Sequence, residues 1–144
     1  MKKILLTLSL LIFSCTQTIN FNENEEYFTE VKEIKYYKGS PFTGVVESYY
    51  ENGQLWVKAT YKGGKFDGPY EAYYENGQLR EKTTYKDGEV DGLYELYYEN
   101  GQLRLKTTLR DEELNGIYER YYEDGQLYGI SNWRNGKCIS GDCF

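Results

Sequence analysis

The side chains whose type and spacing could do chemistry are four glutamates that recur every 24 residues, namely Glu47, Glu71, Glu95 and Glu119. Paired carboxylates hydrolyse glycosidic bonds, one as an acid and the other as a base or nucleophile. All four recur with the repeat, however, and three of them are expected to lie opposite a lysine of the next strand. The pattern therefore favours solvated cross-strand ion pairs over a catalytic pair.

The composition argues against most other catalytic chemistry. Histidine is absent, so the usual general base near neutral pH and the commonest metal ligand are both missing. Acidic side chains that face lysines are already neutralised, and no Asp-x-Asp-x-Asp loop of the calcium-binding kind occurs. No glycine-rich phosphate loop with a following lysine is present, which argues against a kinase. We expect no enzymatic activity, no metal and no cofactor.

The net charge bears on partners. The formal charge is −6, from 17 basic and 23 acidic side chains. Such a surface repels phosphate backbones and anionic lipid, so we expect no nucleic acid partner.

The N-terminus has the layout of a secretory signal peptide. Two lysines precede an uncharged run from Ile4 to Phe13, which is too short to span a bilayer that needs roughly 20 residues. Residues Ile12 to Cys15 resemble a bacterial lipobox, in which the cysteine receives diacylglycerol. We therefore expect a signal peptide over 1–14, a lipid on Cys15, and an exported protein held at a membrane of the cell envelope. An ordinary signal peptide with an incidental cysteine is the alternative.

Residues 15–30 contain several Asn and Glu and few apolar side chains, as in a solvated tether. A short irregular first strand is the alternative reading. We predict a flexible tether here, between the membrane and the folded part.

Two further cysteines lie at the C-terminus. Cys138 and Cys143 enclose four residues, and in an oxidising envelope they would most simply form a disulfide in a C-terminal cap over 138–144. Two free thiols are the alternative. Trp133 is expected to contribute to the same cap.

A 24-residue repeat is the strongest pattern in the chain. The motif is Tyr49-Tyr50-Glu51-Asn52-Gly53-Gln54-Leu55, and it recurs from Tyr73, from Tyr97 and from Tyr121. Asp124 replaces the asparagine in the last copy. Glycines keep the same interval at positions 44, 68, 92 and 116. We predict four hairpin units within 31–137.

Asn-Gly between alternating segments is the best short-range hairpin signal, because a type I′ turn needs positive φ at both central residues. Two-residue tip turns are therefore predicted at Asn52-Gly53, Asn76-Gly77, Asn100-Gly101 and Asp124-Gly125. A second set, at Gly63-Gly64, Asp87-Gly88 and Asn135-Gly136, joins one hairpin to the next. Asp111-Glu112 lacks glycine, so a longer or looser loop is expected there.

These turns set the strand register. They place Tyr74 opposite Leu79, Tyr73 opposite Arg80, and Glu71 opposite Lys82. The same arithmetic pairs Glu47 with Lys58 and Glu95 with Lys106. Opposite charges across strands contribute about 0.2–1 kcal/mol per pair, which supports the register.

Aromatic and cationic side chains are predicted to share one exposed face. Tyr73 with Arg80 and Tyr97 with Arg104 suggest cation–π pairs, and Tyr49 with Trp56 and Tyr121 with Tyr128 suggest aromatic pairs. Stabilisation of the sheet is the simpler explanation. Rows of Tyr, Trp and Arg are nevertheless typical of binding hot spots, so these eight residues are the candidate binding surface.

The predicted fold is all-β: an elongated, twisted, single antiparallel meander of tandem hairpins. With tight turns at both ends, equivalent residues would slip by two positions in each 24-residue unit. Either a bulge absorbs the slip or the sheet coils.

The repeat also resembles a known family. The residues Gly68-x-Tyr70-x-x-Tyr73-Tyr74-x-Asn76-Gly77-x-Leu79, followed by Tyr85-Lys86-x-Gly88 and Gly92, closely resemble the bacterial MORN-repeat variant, found in chains named YwqK-type antitoxins. The resemblance covers about Tyr36 to Gly136. It implies a β-hairpin scaffold for protein or membrane contact. The leading hypothesis is a non-catalytic envelope lipoprotein with an unknown protein partner, and the alternative is neutralisation of a partner toxin.

Overall fold

The computed structural model describes residues 16–143, so the predicted signal peptide and Cys15 lie outside the described residues. The elements are β1 Thr18–Asn20, α1 Phe21–Asn24, a 3-10 turn Glu25–Tyr27, β2 Phe28–Val31, β3 Ile34–Tyr37, β4 Ser40–Pro41, β5 Gly44–Tyr49, β6 Leu55–Lys62, β7 Lys65–Tyr73, β8 Leu79–Lys86, β9 Glu89–Val90, β10 Gly92–Tyr97, β11 Leu103–Arg110, β12 Glu113–Leu114, β13 Gly116–Tyr121, β14 Leu127–Arg134 and β15 Lys137–Gly141. No helix among these residues is long and apolar enough to cross a membrane.

One long sheet contains most of the strands. Its order is β1-β5-β6-β7-β8-β10-β11-β13-β14-β15, with β9 beside β8 and β12 beside β11. Successive strands from β5 onward pair antiparallel, because each is joined to the next by a short turn. The predicted all-β meander of tandem hairpins is confirmed. Two additions were not predicted: β1 pairs parallel with β5, and β2-β3-β4 form a separate small sheet.

Bulges keep the repeats in register. Tyr85 pairs with Val90, but Lys82 pairs with Glu95, so the register changes by two residues between those pairs. Gly92 lies in this break with φ +127°, a conformation that a side chain disfavours. The bulge therefore absorbs the predicted slip, and equivalent residues of successive units form straight rows across the sheet.

The hairpin tips differ from the prediction. Gly77 N–H donates to the Tyr74 carbonyl at 2.9 Å, and Tyr74 N–H donates to the Gln78 carbonyl at 2.8 Å. Gly77 has φ +84°, whereas Asn76 is not left-handed. Each tip is thus a three-residue loop, a type I turn followed by a left-handed glycine, and the predicted type I′ turn is wrong. Asn-Gly suits both turns, because Asn76 Oδ1 can accept the Gln78 N–H, here at 2.9 Å.

The extra tip residue changes the pairing beside it. Tyr73 pairs with Leu79, after a register shift between Ala72 and Tyr73. The predicted opposition of Tyr74 to Leu79 and of Tyr73 to Arg80 is therefore wrong. The Glu–Lys pairings, which lie farther from the tip, are confirmed in all three units.

The prediction of a loose loop at Asp111-Glu112 is also wrong. These two residues form a tight turn with φ +50° and +61°, and Arg110 pairs directly with Glu113. A residue such as Glu112 disfavours this conformation by roughly 1–2 kcal/mol, whereas an aspartate such as Asp111 adopts it more readily. The pairing of the flanking strands holds the turn closed despite that cost.

The predicted tether is wrong for its described part. Ile19, only 5 % exposed, packs in a buried cluster with Phe42, Val46, Ala59 and Tyr61. Phe21 and Phe28 pack against the same cluster from the partly buried rim. A few apolar residues in a polar segment are enough to cover the first edge of the repeat sheet, and this is why the segment is ordered.

Candidate functional site

Side chains on one side of the sheet, here called the ladder face, form a row of alternating charge. Register places Glu47, Lys58, Glu71, Lys82, Glu95, Lys106, Glu119 and Ile130 side by side across eight strands. Ion-pair distances are 2.8 Å for Lys58–Glu47, 3.2 Å for Lys82–Glu71 and 3.4 Å for Lys106–Glu95. Most interior side chains of the row have an opposite charge on both sides, so their charges are paired within the row.

Each glutamate of the ladder face also accepts a hydrogen bond from a tyrosine hydroxyl. The hydroxyl of Tyr49 donates to Glu47 Oε2 and that of Tyr73 donates to Glu71 Oε2, both at 2.8 Å. Hydrogen bonds from Lys58 and then Tyr49 lower the pKa of Glu47. Burial would raise the pKa of Glu71, but hydrogen bonds from Tyr73 and Lys82 outweigh it and lower that pKa as well. A catalytic acid needs the opposite shift, so these carboxylates remain charged ion-pair partners near neutral pH.

The opposite side, here called the groove face, is apolar and aromatic. One of its rows contains Ser48, Val57, Ala72, Glu81, Leu96, Leu105 and Arg120. Ala72 is 0 % exposed and forms part of the floor. Phe66 stacks near Tyr61 and Tyr85, with ring centroids 4.6 and 5.0 Å apart. Burial, together with the charge of Glu81 and a hydrogen bond to it, raises the pKa of Tyr94 to about 12.

The structure divides the predicted binding surface between the two faces. Tyr49, Tyr73, Tyr97 and Tyr121 lie on the ladder face, each bonded to its glutamate. Trp56 instead contacts Tyr50 with ring centroids 6.2 Å apart, and Arg104 lies 5.8 Å from the Tyr98 ring.

Tyr128 likewise contacts Tyr122, with ring centroids 5.1 Å apart. The charge of Arg80 acts on the pKa of Tyr70, which lies on the groove face. The predicted pairs of Tyr49 with Trp56, Tyr73 with Arg80, Tyr97 with Arg104 and Tyr121 with Tyr128 are therefore wrong. The cause is the bulge beside each tip, which changes the strand register there. As a result, Trp56, Arg104 and Tyr128 contact the second tyrosine of a Tyr-Tyr pair instead of the first.

The second tyrosines also link successive hairpins, which the sequence analysis missed. Tyr50, Tyr74 and Tyr98 hydroxyls donate to the carbonyls of Tyr73, Tyr97 and Tyr121 at 2.8, 2.8 and 2.9 Å. Asn52, Asn76 and Asn100 side-chain amides donate to the carbonyls of Glu75, Glu99 and Glu123 at 3.0, 2.9 and 2.8 Å. Each tip thus bonds to the next tip. The signal was present, because both residue types recur at the repeat interval.

The two ends of this row of tips are adapted. At the first hairpin, Asn22 donates to the Tyr49 carbonyl at 3.0 Å and accepts its N–H at 2.8 Å, in place of a preceding tip. The last described hairpin has Asp124 where the others have asparagine. Its Oδ1 still accepts the Gln126 N–H at 2.9 Å, and no later tip lies within residues 16–143 to need the lost amide donor.

A groove lies over the last two repeats. It has a volume of about 400 Å³ and is lined by Leu96, Tyr98, Arg104, Leu105, Tyr118, Arg120, Tyr121, Tyr122 and Tyr128. Within the described part of the chain no cluster of Cys, Asp and Glu could hold a metal ion. The chemistry of this groove is therefore that of aromatic, aliphatic and guanidinium contacts.

The C-terminal cysteines close the far end of the sheet. Cys138 and Cys143 are joined as a disulfide, with their Cα atoms 5.9 Å apart. Trp133 Nε1 donates to Ser131 Oγ at 2.8 Å, and its ring lies 6.4 Å from that of Tyr118. This cap supports the groove from the C-terminal side.

Comparison with known proteins identifies the repeats. No curated protein matches the chain. The family model described as MORN repeat variant matches residues 42–62, 66–87, 90–111 and 114–135, and together these segments cover more than half of the chain. Each match includes one tip turn and its flanking strands, so four tandem copies correspond to the four hairpins. The chain belongs to the MORN repeat variant family, whose repeats suggest a scaffold for interactions.

Proposed function

We propose that this chain is a non-catalytic envelope lipoprotein that binds another protein through its groove face. The observation that carries the proposal is the contrast between the two faces. Charges of the ladder face are already paired within the chain. The groove face instead presents exposed aromatic rings above a floor of small buried side chains.

The exposed rings of the groove face suit a protein partner. Trp56 is 44 % exposed and Tyr122 is 51 % exposed. Rings such as that of Tyr98 are fixed by a hydroxyl bond to the next repeat. Fixed aromatic side chains lose little conformational entropy on binding, and Tyr, Trp and Arg are the residues enriched at binding hot spots.

The anchoring part of the proposal rests on the sequence around Cys15. Because β1 begins at Thr18 and pairs with β5, a lipid on Cys15 would hold the first repeat close to the membrane. Metabolic labelling with a fatty acid tests this: wild-type protein should be labelled and Cys15→Ser should not. Labelling of both, or of neither, would contradict lipidation at this residue.

A matched pair of variants tests the binding face. Tyr97 and Tyr122 both lie beside hairpin tips, but Tyr97 bonds to Glu95 of the ladder face and lies outside the groove lining, whereas Tyr122 lines the groove. In pull-downs from membranes, Tyr122→Ala should lose the partner and Tyr97→Ala should retain it. Equal recovery by both would count against the groove face. The antitoxin alternative is tested in the same experiment, because a toxin would be recovered as the bound protein.

A further inference from the structure

Five asparagines of the chain are each followed by glycine, and this pair undergoes spontaneous deamidation more readily than other asparagine pairs. The glycine backbone nitrogen attacks the asparagine Cγ and a new C–N bond forms. The bond from Cγ to Nδ2 breaks, and Nδ2 leaves as ammonia with the proton of the glycine amide. Water then opens the five-membered ring and gives aspartate or isoaspartate. Glycine favours the attack because it has no side chain to obstruct it. The asparagines concerned are Asn52, Asn76, Asn100, Asn115 and Asn135.

The hairpin tips hold their asparagine side chains at both polar atoms. Asn76 Oδ1 accepts the Gln78 N–H at 2.9 Å, and Asn76 Nδ2 donates to the Glu99 carbonyl of the next tip at 2.9 Å. Asn52 and Asn100 make the same two bonds. Before Cγ can turn towards the glycine nitrogen, both hydrogen bonds must break. The tip-to-tip network therefore opposes the reaction at three of the five pairs.

Asn135 makes neither of these bonds. It is exposed in the turn between β14 and β15, and its side chain has no hydrogen-bond partner within residues 16–143. The backbone nitrogens do not explain the difference, because Gly136 N–H donates to the Leu114 carbonyl at 3.0 Å and Gly77 N–H donates to the Tyr74 carbonyl at 2.9 Å. In the described sheet β15 pairs only with β14, and a strand at the end of a sheet opens locally more readily than one with two neighbours.

Asn115 differs from Asn135 in its backbone. Its side chain also lacks a hydrogen bond to any described residue, but it is half-buried. Leu114 before it pairs with Leu109, and Gly116 after it pairs with Trp133. Because attack on Cγ needs rotation of the backbone between the asparagine and the glycine, pairing on both sides of Asn115 opposes the reaction there.

We propose that Asn135 is the site at which the folded protein deamidates, and that the tip-to-tip bonds protect the asparagines of the tips. The reaction adds a carboxylate to the connector turn beside the Glu113 side chain, whose Cδ lies 3.6 Å from the position that a Gly136 Cβ would take. Isoaspartate also adds one carbon to the backbone of a two-residue turn between Arg134 and Lys137, which pair directly. Both changes loosen the pairing of β14 with β15.

The test is incubation of the purified full chain at mildly alkaline pH, followed by peptide mapping with mass spectrometry. In the folded protein, Asn135 should deamidate about tenfold or more faster than Asn76, the factor expected when two hydrogen bonds must first break. Asn115 should also react more slowly than Asn135. In guanidinium chloride the rates at all five pairs should converge to within about threefold, because the protecting contacts are lost on unfolding. Equal rates at Asn135 and Asn76 in the folded protein, or a faster reaction at Asn115, would overturn the assignment.

A variant of the last tip isolates the bond from one tip to the next. Asp124→Asn puts an asparagine in a tip with no later tip among the described residues. Gln126→Ala accompanies it, because Gln126 Nε2 donates to Asp124 Oδ2 at 3.1 Å and the glutamine side chain could hold the new amide. The bond from the backbone N–H of residue 126 to Oδ1 of residue 124 is kept.

Asn100, one hairpin earlier in the same molecule, is the matched control. In the double variant, position 124 should deamidate about threefold to tenfold faster than Asn100, the factor that corresponds to one hydrogen bond. Equal rates at the two positions would show that the tip-to-tip bond gives no protection and would refute that part of the proposal.

Discussion

Removal of one hydroxyl should show how much each hairpin depends on the next. Tyr74 Oη donates to the Tyr97 carbonyl at 2.8 Å, and this bond joins two successive repeats. Tyr74→Phe deletes the donor while keeping the ring. A net hydrogen bond is worth about 0.5–1.5 kcal/mol, and the carbonyl left without its partner is half-buried. We expect the free energy of unfolding to fall by about 1 kcal/mol.

Urea denaturation followed by far-ultraviolet circular dichroism measures this change. With a slope of about 2 kcal/mol per molar urea, the midpoint should fall by about 0.5 M at unchanged slope. The control is Tyr122→Phe, because Tyr122 has the same position in the last hairpin and no following tip within the described residues. Tyr98→Phe should reproduce the Tyr74→Phe result. Equal midpoints for Tyr74→Phe and Tyr122→Phe would refute the argument that tip-to-tip bonds stabilise the array.

Three further predictions follow from backbone geometry and ionisation. Burial and a bond to Glu71 raise the pKa of Tyr73 to about 12, against an ordinary value of 10.0. The contribution of the Tyr73 hydroxyl to the free energy of unfolding is complete below pH 10 and is lost as the pH rises towards 12. Absorbance at alkaline pH should therefore show tyrosine ionisation coinciding with unfolding. Gly92→Ala should lower the free energy of unfolding, measured in urea, by about 1–3 kcal/mol, because the backbone of Gly92 has φ +127°. The loss would come from the backbone alone, since the new Cβ would lie 3.9 Å from Thr84 Cβ and would not clash. Glu112→Gly should raise the thermal midpoint by relieving φ +61°; a lower midpoint would show that the Glu112 side chain stabilises the turn.

The repeat interval determined the number of hairpins, their strands and the Glu–Lys rows. These features are local, because a turn residue and its two flanking strands are contained within one 24-residue unit. Glu71 and Lys82 could be paired from sequence alone, since the pair lies beyond the irregular tip. The 24-residue spacing of Gly68, Gly92 and Gly116 could be read from the sequence. Their role in absorbing the register slip was apparent only from the structure.

Only the tertiary structure decided which side of the sheet each aromatic and cationic side chain occupies. Asn76-Gly77 is compatible with a two-residue and with a three-residue loop, and the choice between them moves Arg80 and its equivalents to the other face. In the structure, the three-residue tip lets Tyr74 and Asn76 bond to the tip of the next hairpin. Those bonds link residues 23 positions apart, so no single unit of sequence could reveal them. The same holds for the segment around Ile19, whose order depends on the edge of β5 that it covers.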